Sequence, residues 1–137
     1  MITLSQYAGK WRNAPDWTAS VEAQALRLLT CCNALEAEMA KDGVRFPDNP
    51  TTHNGISGEL YGGFRPQACP IGAPASNHKR GLAVDRYDPD GAIDAWCMAH
   101  LDRLGSHGIW LEHPDATPGW SHWSSAPPKS GNRVFVP

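Results

Sequence analysis

The densest run of chemically capable residues in the chain is Ser76-Asn77-His78-Lys79-Arg80-Gly81-Leu82-Ala83-Val84-Asp85, and a further His follows in Trp120-Ser121-His122. Two imidazoles and one carboxylate are the donor set of an open catalytic zinc site, where three protein ligands leave a fourth position for water or substrate. A His followed seven residues later by an Asp is a common coincidence in a chain with six His, so the pair alone says little. The residues around it say more. Ser76 precedes the His, Gly81 allows a tight turn, and small Ala83 leaves room beside an ion, as suits a loop running into a strand that returns Asp85 to His78. On these residues alone, a His and Asp ion pair with an unrelated third His competes evenly with the metal reading.

Elements must hold such a site. Val21, Ala25, Leu28, Cys32, Leu35 and Met39 recur at alternating spacings of four and three, predicting an amphipathic helix over residues 18–41, capped by Thr18 or Ser20 and followed by Gly43. Residues 44–54 read as a turn-rich loop, 56–64 as a short strand among glycines, and 69–76 as a loop. Residues 81–87 read as a second strand. Asp90 then caps a second helix with Ile93, Trp96, Cys97, His100, Leu101 and Leu104 on one face, ending before Gly105. Residues 108–112 and 120–124 are further strands, with 133–136 as an edge strand. The expected fold class is α+β with a small antiparallel sheet and two main helices.

At 137 residues and 41% hydrophobic, the chain suits one domain, residues 1–137. A formal net charge of -2 provides no bulk positive field for a phosphate backbone, so nucleic acid is not expected as a partner. No stretch reaches the length of a membrane span, and the N-terminus lacks the pattern of a secretory signal, which predicts a cytoplasmic, soluble monomer. Cys31, Cys32, Cys69 and Cys97 offer no C-x-x-C spacing and read as core or free thiols, with a Cys69 to Cys97 disulfide open in an oxidising compartment. His53, His100 and His107 read as ordinary histidines. Trp96 and Trp110 read as core, Trp120 and Trp123 as walls of a cleft beside His122, and Lys79 and Arg80 as solvated.

The pattern S-x-H-x-x-G-x-A-x-D, with Gly62-Gly63-Phe64-Arg65 upstream and W-x-H downstream, resembles the zinc D-alanyl-D-alanine peptidase family. That family includes bacterial carboxypeptidases, D,D-dipeptidases and phage L-alanyl-D-glutamate endolysins. The resemblance covers roughly residues 58–137, with the metal-site region at 58–125, and the closing residues 127–135 are similar to tails of small phage and prophage members. It implies a hedgehog/D,D-peptidase-like fold and zinc (Zn2+) on His78, Asp85 and His122. It also implies that Arg65 polarises the scissile carbonyl or holds a substrate carboxylate, and that Ser76 helps seat the substrate. The implied substrate is the peptidoglycan stem peptide, reached after release through a phage holin or from a virion.

The sequence departs from that pattern at one position. In the dipeptidase branch a Glu three residues before the last His acts as general base; here Gly119 stands there. Glu112, at the end of the preceding strand, is the first replacement, because a carboxylate beside an activated water can take and return its proton; His113 and Asp115 follow. The same Glu112 could instead support a ligand His from behind. Two rival readings are a zinc-stabilised binding or virion-structural module without catalysis, and a metal-free fold with a decayed motif. Which stem bond is cut is not written in the loops that would select it.

Overall fold

A computed structural model of the chain describes residues 1–50 and 62–137. A short helix α1 (Leu4–Ala8), closed at its start by a reciprocal Thr3 and Gln6 capping box, runs through a 3-10 turn (Gly9–Asn13) into the long helix α2 (Ala19–Lys41). Thr18 is the α2 cap, its hydroxyl accepting from the Val21 N–H. The apolar stripe lies where the spacing puts it: Ala25, Leu28, Leu29, Cys32, Leu35 and Met39 are buried. A 3-10 turn (Asn77–Arg80) leads into strand β1 (Ala83–Tyr87), then helices α3 (Ala92–Ala99) and α4 (Leu101–Ser106). Strand β2 (Trp110–Glu112), a 3-10 turn (Pro114–Ala116), strand β3 (Trp120–Ser124) and strand β4 (Val134–Phe135) complete the order.

Among the described residues four strands form one sheet in the order β1-β3-β2-β4. The fold is α+β, as expected, but the sheet is mixed. β3 is antiparallel to β1 and β2, whereas β4 lies parallel to β2 because the chain crosses back before pairing. One sheet face is core: Val84, Leu111 and Trp123 are fully buried and cluster with Leu28, Leu35 and Phe64. Strand alternation therefore turns Asp85, Glu112 and His122 to the other face.

Several local expectations change. Residues 51–61, most of the predicted 56–64 strand and His53, lie outside the described residues; residues 62–63 form a bend, and none of residues 62–64 is in a strand. The second helix is two helices broken at His100, and Gly105 lies inside α4. Its start is held by Asp88, not Asp90 alone: the Asp88 carboxylate accepts from the Ile93 and Asp94 N–H groups, while Gly91 takes a left-handed conformation at the cap. Trp123 is a core residue, fully buried, with its Nε1 donating to Ser121. Trp110 is only half-buried and lies under the Arg133 guanidinium, 4.5 Å from the ring centroid. Lys79 is buried, not solvated; its ammonium donates to the carbonyls of Gln67 and Cys69 and ties down the loop after Arg65. All four cysteines are free thiols, Cys69 and Cys97 included. His100 stacks on Trp96, and His107 meets Glu38 at 2.8 Å, so both are structural.

Gly81 joins this frame to the site. It has a φ of 72°, and a Cβ there would stand 2.7 Å from the carbonyl oxygen of Val21 in α2. Its lack of a side chain lets the turn carrying His78 dock on the long helix. Gly81→Ala combines left-handed strain with a backbone collision and should cost about 2 kcal/mol or more in urea unfolding. An unchanged midpoint would refute this docking role.

Candidate metal centre

Three segments meet at the site. His78 comes from the 3-10 turn that Ser76 caps, the Ser76 hydroxyl accepting from the His78 N–H at 3.3 Å. Asp85 and His122 are direct cross-strand partners on β1 and β3. The segment around Gly63 runs beside them: the Asp85 N–H donates to the Gly62 carbonyl, and the Arg65 N–H donates to the His78 carbonyl. The sequence thus brings together residues 44 positions apart through one strand register and one capped turn.

The ligating atoms of His78, Asp85 and His122 all lie within 4.8 Å of one another. His78 Nε2 is 3.3 Å from His122 Nδ1 and 3.4 Å from Asp85 Oδ1. A tetrahedral ion with bonds of about 2.0–2.1 Å holds its ligands about 3.3–3.4 Å apart. The third edge, His122 Nδ1 to Asp85 Oδ1, is 2.7 Å, a hydrogen-bond distance.

Protonation follows from the contacts. His78 Nδ1 lies 2.8 Å from the Gly63 carbonyl, which can only accept, so this nitrogen carries the proton and Nε2 turns its lone pair inward. Burial pushes the His78 pKa down despite the nearby Asp85, which keeps the ring neutral. Burial opposes ionisation of Asp85, but His78 and His122 beside it outweigh that and hold its carboxyl well below the usual carboxylate range. His122 is shifted up: burial works against the charged ring, while the hydrogen bond to Asp85 and the charges of Asp85 and Glu112 favour it. A proton on His122 Nδ1 thus stands where a cation could stand. Three inward donors, two nitrogens and an ionised oxygen, are a set that a divalent cation fits.

Two further charged groups frame the donors. Arg65 is buried and its Nη2 donates to Asp85 Oδ2 at 2.9 Å, holding the carboxylate oxygen that faces away from the imidazoles. Gly72, at a φ of 85°, lies over this guanidinium: a Cβ there would come within 3.1 Å of Arg65 Nη1 and 3.6 Å of the Ser76 hydroxyl. Glu112 Oε2 stands 3.7 Å from His122 Nε2, and extending the β2 and β3 register places the two residues opposite each other. Burial raises the Glu112 pKa, and the nearby Asp85 adds to that while His122 opposes it. His113 and Asp115 are placed differently. His113 Nδ1 caps the 3-10 turn by accepting from the Asp115 N–H, and the Asp115 side chain is almost fully exposed.

The predicted ligand set, Arg65, Ser76 and Glu112 therefore come together, and of the three base candidates Glu112 is the one whose carboxylate reaches a ligand. The Gly63 carbonyl that fixes the His78 tautomer is not readable in the sequence, because a backbone acceptor leaves no side-chain signal. Comparison of the chain with protein-family models, curated proteins and solved structures found no match. Among the described residues no helix is long and apolar enough to cross a membrane.

Proposed function

We propose that the chain is a zinc-dependent peptidase acting on the peptidoglycan stem, with a hedgehog/D,D-peptidase-like fold. The observation that carries this reading is the convergence of His78 Nε2, His122 Nδ1 and Asp85 Oδ1, with two of the three edges at tetrahedral spacing and the third at hydrogen-bond distance, and with a carboxylate, Glu112, beside His122. Zinc bound there would supply a Lewis acid of formal charge +1 with its ligands, acidifying a water and polarising a carbonyl. The protein's own residues do the rest. Glu112, raised by burial, takes the proton of the attacking water and returns it to the leaving amine. Arg65 orients Asp85 through its Nη2, and its guanidinium beside the site would polarise the scissile carbonyl, the role the resemblance implies for it. Ser76 acts by setting the His78 turn, with the substrate-seating role as an addition to that.

Arg65→Lys tests the fork. It keeps the charge but loses the planar donors, so turnover of a stem peptide should fall by about 10²-fold or more with zinc content intact. Unchanged turnover would make Arg65 merely a counter-charge for Asp85.

Gly119, in the position where the resembled dipeptidases carry their base, favours a second reading, a zinc-stabilised wall-binding or virion-structural module. Zinc content of the purified protein, with mass spectrometry of peptidoglycan incubated with it, decides between them. One zinc per chain with new stem-peptide ends supports the peptidase. One zinc with no cleavage supports the module, and no zinc removes both. Such an enzyme would reach the wall after release through a phage holin or from a virion.

A further inference from the structure

We propose that Tyr7 is a positioning residue for the metal centre, an inference that rests on the metal reading of His78, Asp85 and His122 but not on what the site acts on. Tyr7 lies outside residues 58–137, the part of the chain that carries the resemblance. It sits in α1, fully buried, and reaches two other segments. Its hydroxyl donates to the Ala83 carbonyl at 2.8 Å, and its own carbonyl accepts from the Phe64 N–H at 2.9 Å. Both segments build the site. Ala83 begins the strand that carries Asp85, while Phe64 stands between Gly63, whose carbonyl fixes the His78 ring, and Arg65, whose guanidinium holds Asp85 Oδ2.

The hydroxyl acts at a sheet edge. Among the described residues β1 is the last strand on its side, and every second residue of such a strand turns its N–H and carbonyl away from the ladder. Ala83, Asp85 and Tyr87 are those residues, and each is met by a group from outside the four strands. Tyr7 Oη donates to the Ala83 carbonyl, the Gly62 carbonyl accepts from the Asp85 N–H, and Asn49 Oδ1 accepts from the Tyr87 N–H. The Tyr7 ring packs against Trp17, which meets Phe64 edge-on at 4.9 Å, so the hydroxyl is aimed by a packed aromatic chain. Burial pushes the phenol pKa up, which keeps the hydroxyl a donor.

Pairing with β3 already fixes Asp85 against His122. It does not fix Asp85 against His78, which stands on a separate turn 3.4 Å away and is held in turn by the Gly63 carbonyl. Tyr7 ties β1 to the segment bearing Gly63 and Arg65 and so sets that edge of the donor triangle. Tyr7→Phe keeps the ring and the main-chain carbonyl and removes the hydroxyl alone, leaving the buried Ala83 carbonyl without this donor.

The test is a zinc titration of the full chain against a chromophoric chelator, with wild type, Tyr7→Phe and Ile93→Val each shown to be folded by circular dichroism. Ile93→Val trims a fully buried side chain in α3, which supplies none of the three ligands, and so lowers stability without touching the tie. Zinc affinity should weaken about tenfold or more in Tyr7→Phe, the loss usual when a group that holds a ligand from behind is removed, and stay at the wild-type value in Ile93→Val. A merely structural hydroxyl would lower the unfolding midpoint of the zinc-free chain and leave the affinity of the folded chain unchanged. Unchanged affinity in Tyr7→Phe, or an equal loss in Ile93→Val, overturns the proposal and leaves the ligand set standing. A wild-type chain that takes up no zinc removes the metal reading and this role with it.

Discussion

His122→Ala is expected to bind no zinc and to lose turnover entirely. The substitution removes one of three donors, and the two that remain, His78 Nε2 and Asp85 Oδ1, cannot enclose an ion in an open site already lacking a fourth protein ligand. The effect extends to stability. A ligand bound only by the folded state contributes about 4 kcal/mol when its free concentration is a thousand times Kd, so zinc should raise the wild-type thermal midpoint by on the order of 10 °C. The same zinc should leave His122→Ala unmoved. Retained stoichiometric zinc in that variant would show that the ion, if present, sits elsewhere.

Glu112→Gln is expected to keep zinc and lose about 10²-fold or more in turnover. Gln preserves the shape beside His122 and removes the basic oxygen, so a large fall in kcat with unchanged metal content separates proton transfer from ligand support. If Glu112 served only to steady the His122 ring, the Gln carbonyl could still accept from Nε2–H and turnover would fall by less than about tenfold. A collapse in His113→Ala or Asp115→Asn with Glu112→Gln still active would move the base to the capped turn that follows β2.

Much of this site is legible in the residues because its parts are local. The α2 helix follows from an uninterrupted four-and-three spacing, and Thr18 and Gly43 mark its ends. Ser76, Gly81 and Asp85 describe a capped turn, a left-handed corner and a strand, and the chain adopts all three. Trp120 to Ser124 is a strand at the residues its alternation indicates. What the residues hide is nonlocal. The parallel pairing of β4 depends on where the chain returns, which no window of sequence encodes. The burial of Lys79 depends on two backbone carbonyls ten and twelve residues away. Trp123 and Trp120 look alike in the sequence, yet alternation sends one into the core and leaves the other on the site face. The break at His100 follows from its ring folding back so that Nδ1 lies 2.7 Å from the Trp96 carbonyl, a local competition with the helix ladder.

The proposed peptidase chemistry depends on an ion held by His78, Asp85 and His122. The most direct test is digestion of purified peptidoglycan before chelation, after chelation and after return of one equivalent of zinc, with new amino termini counted by mass spectrometry. Cleavage should disappear on chelation and return in full with one equivalent. Cleavage that persists through chelation, or no cleavage with one zinc bound per chain, would contradict it.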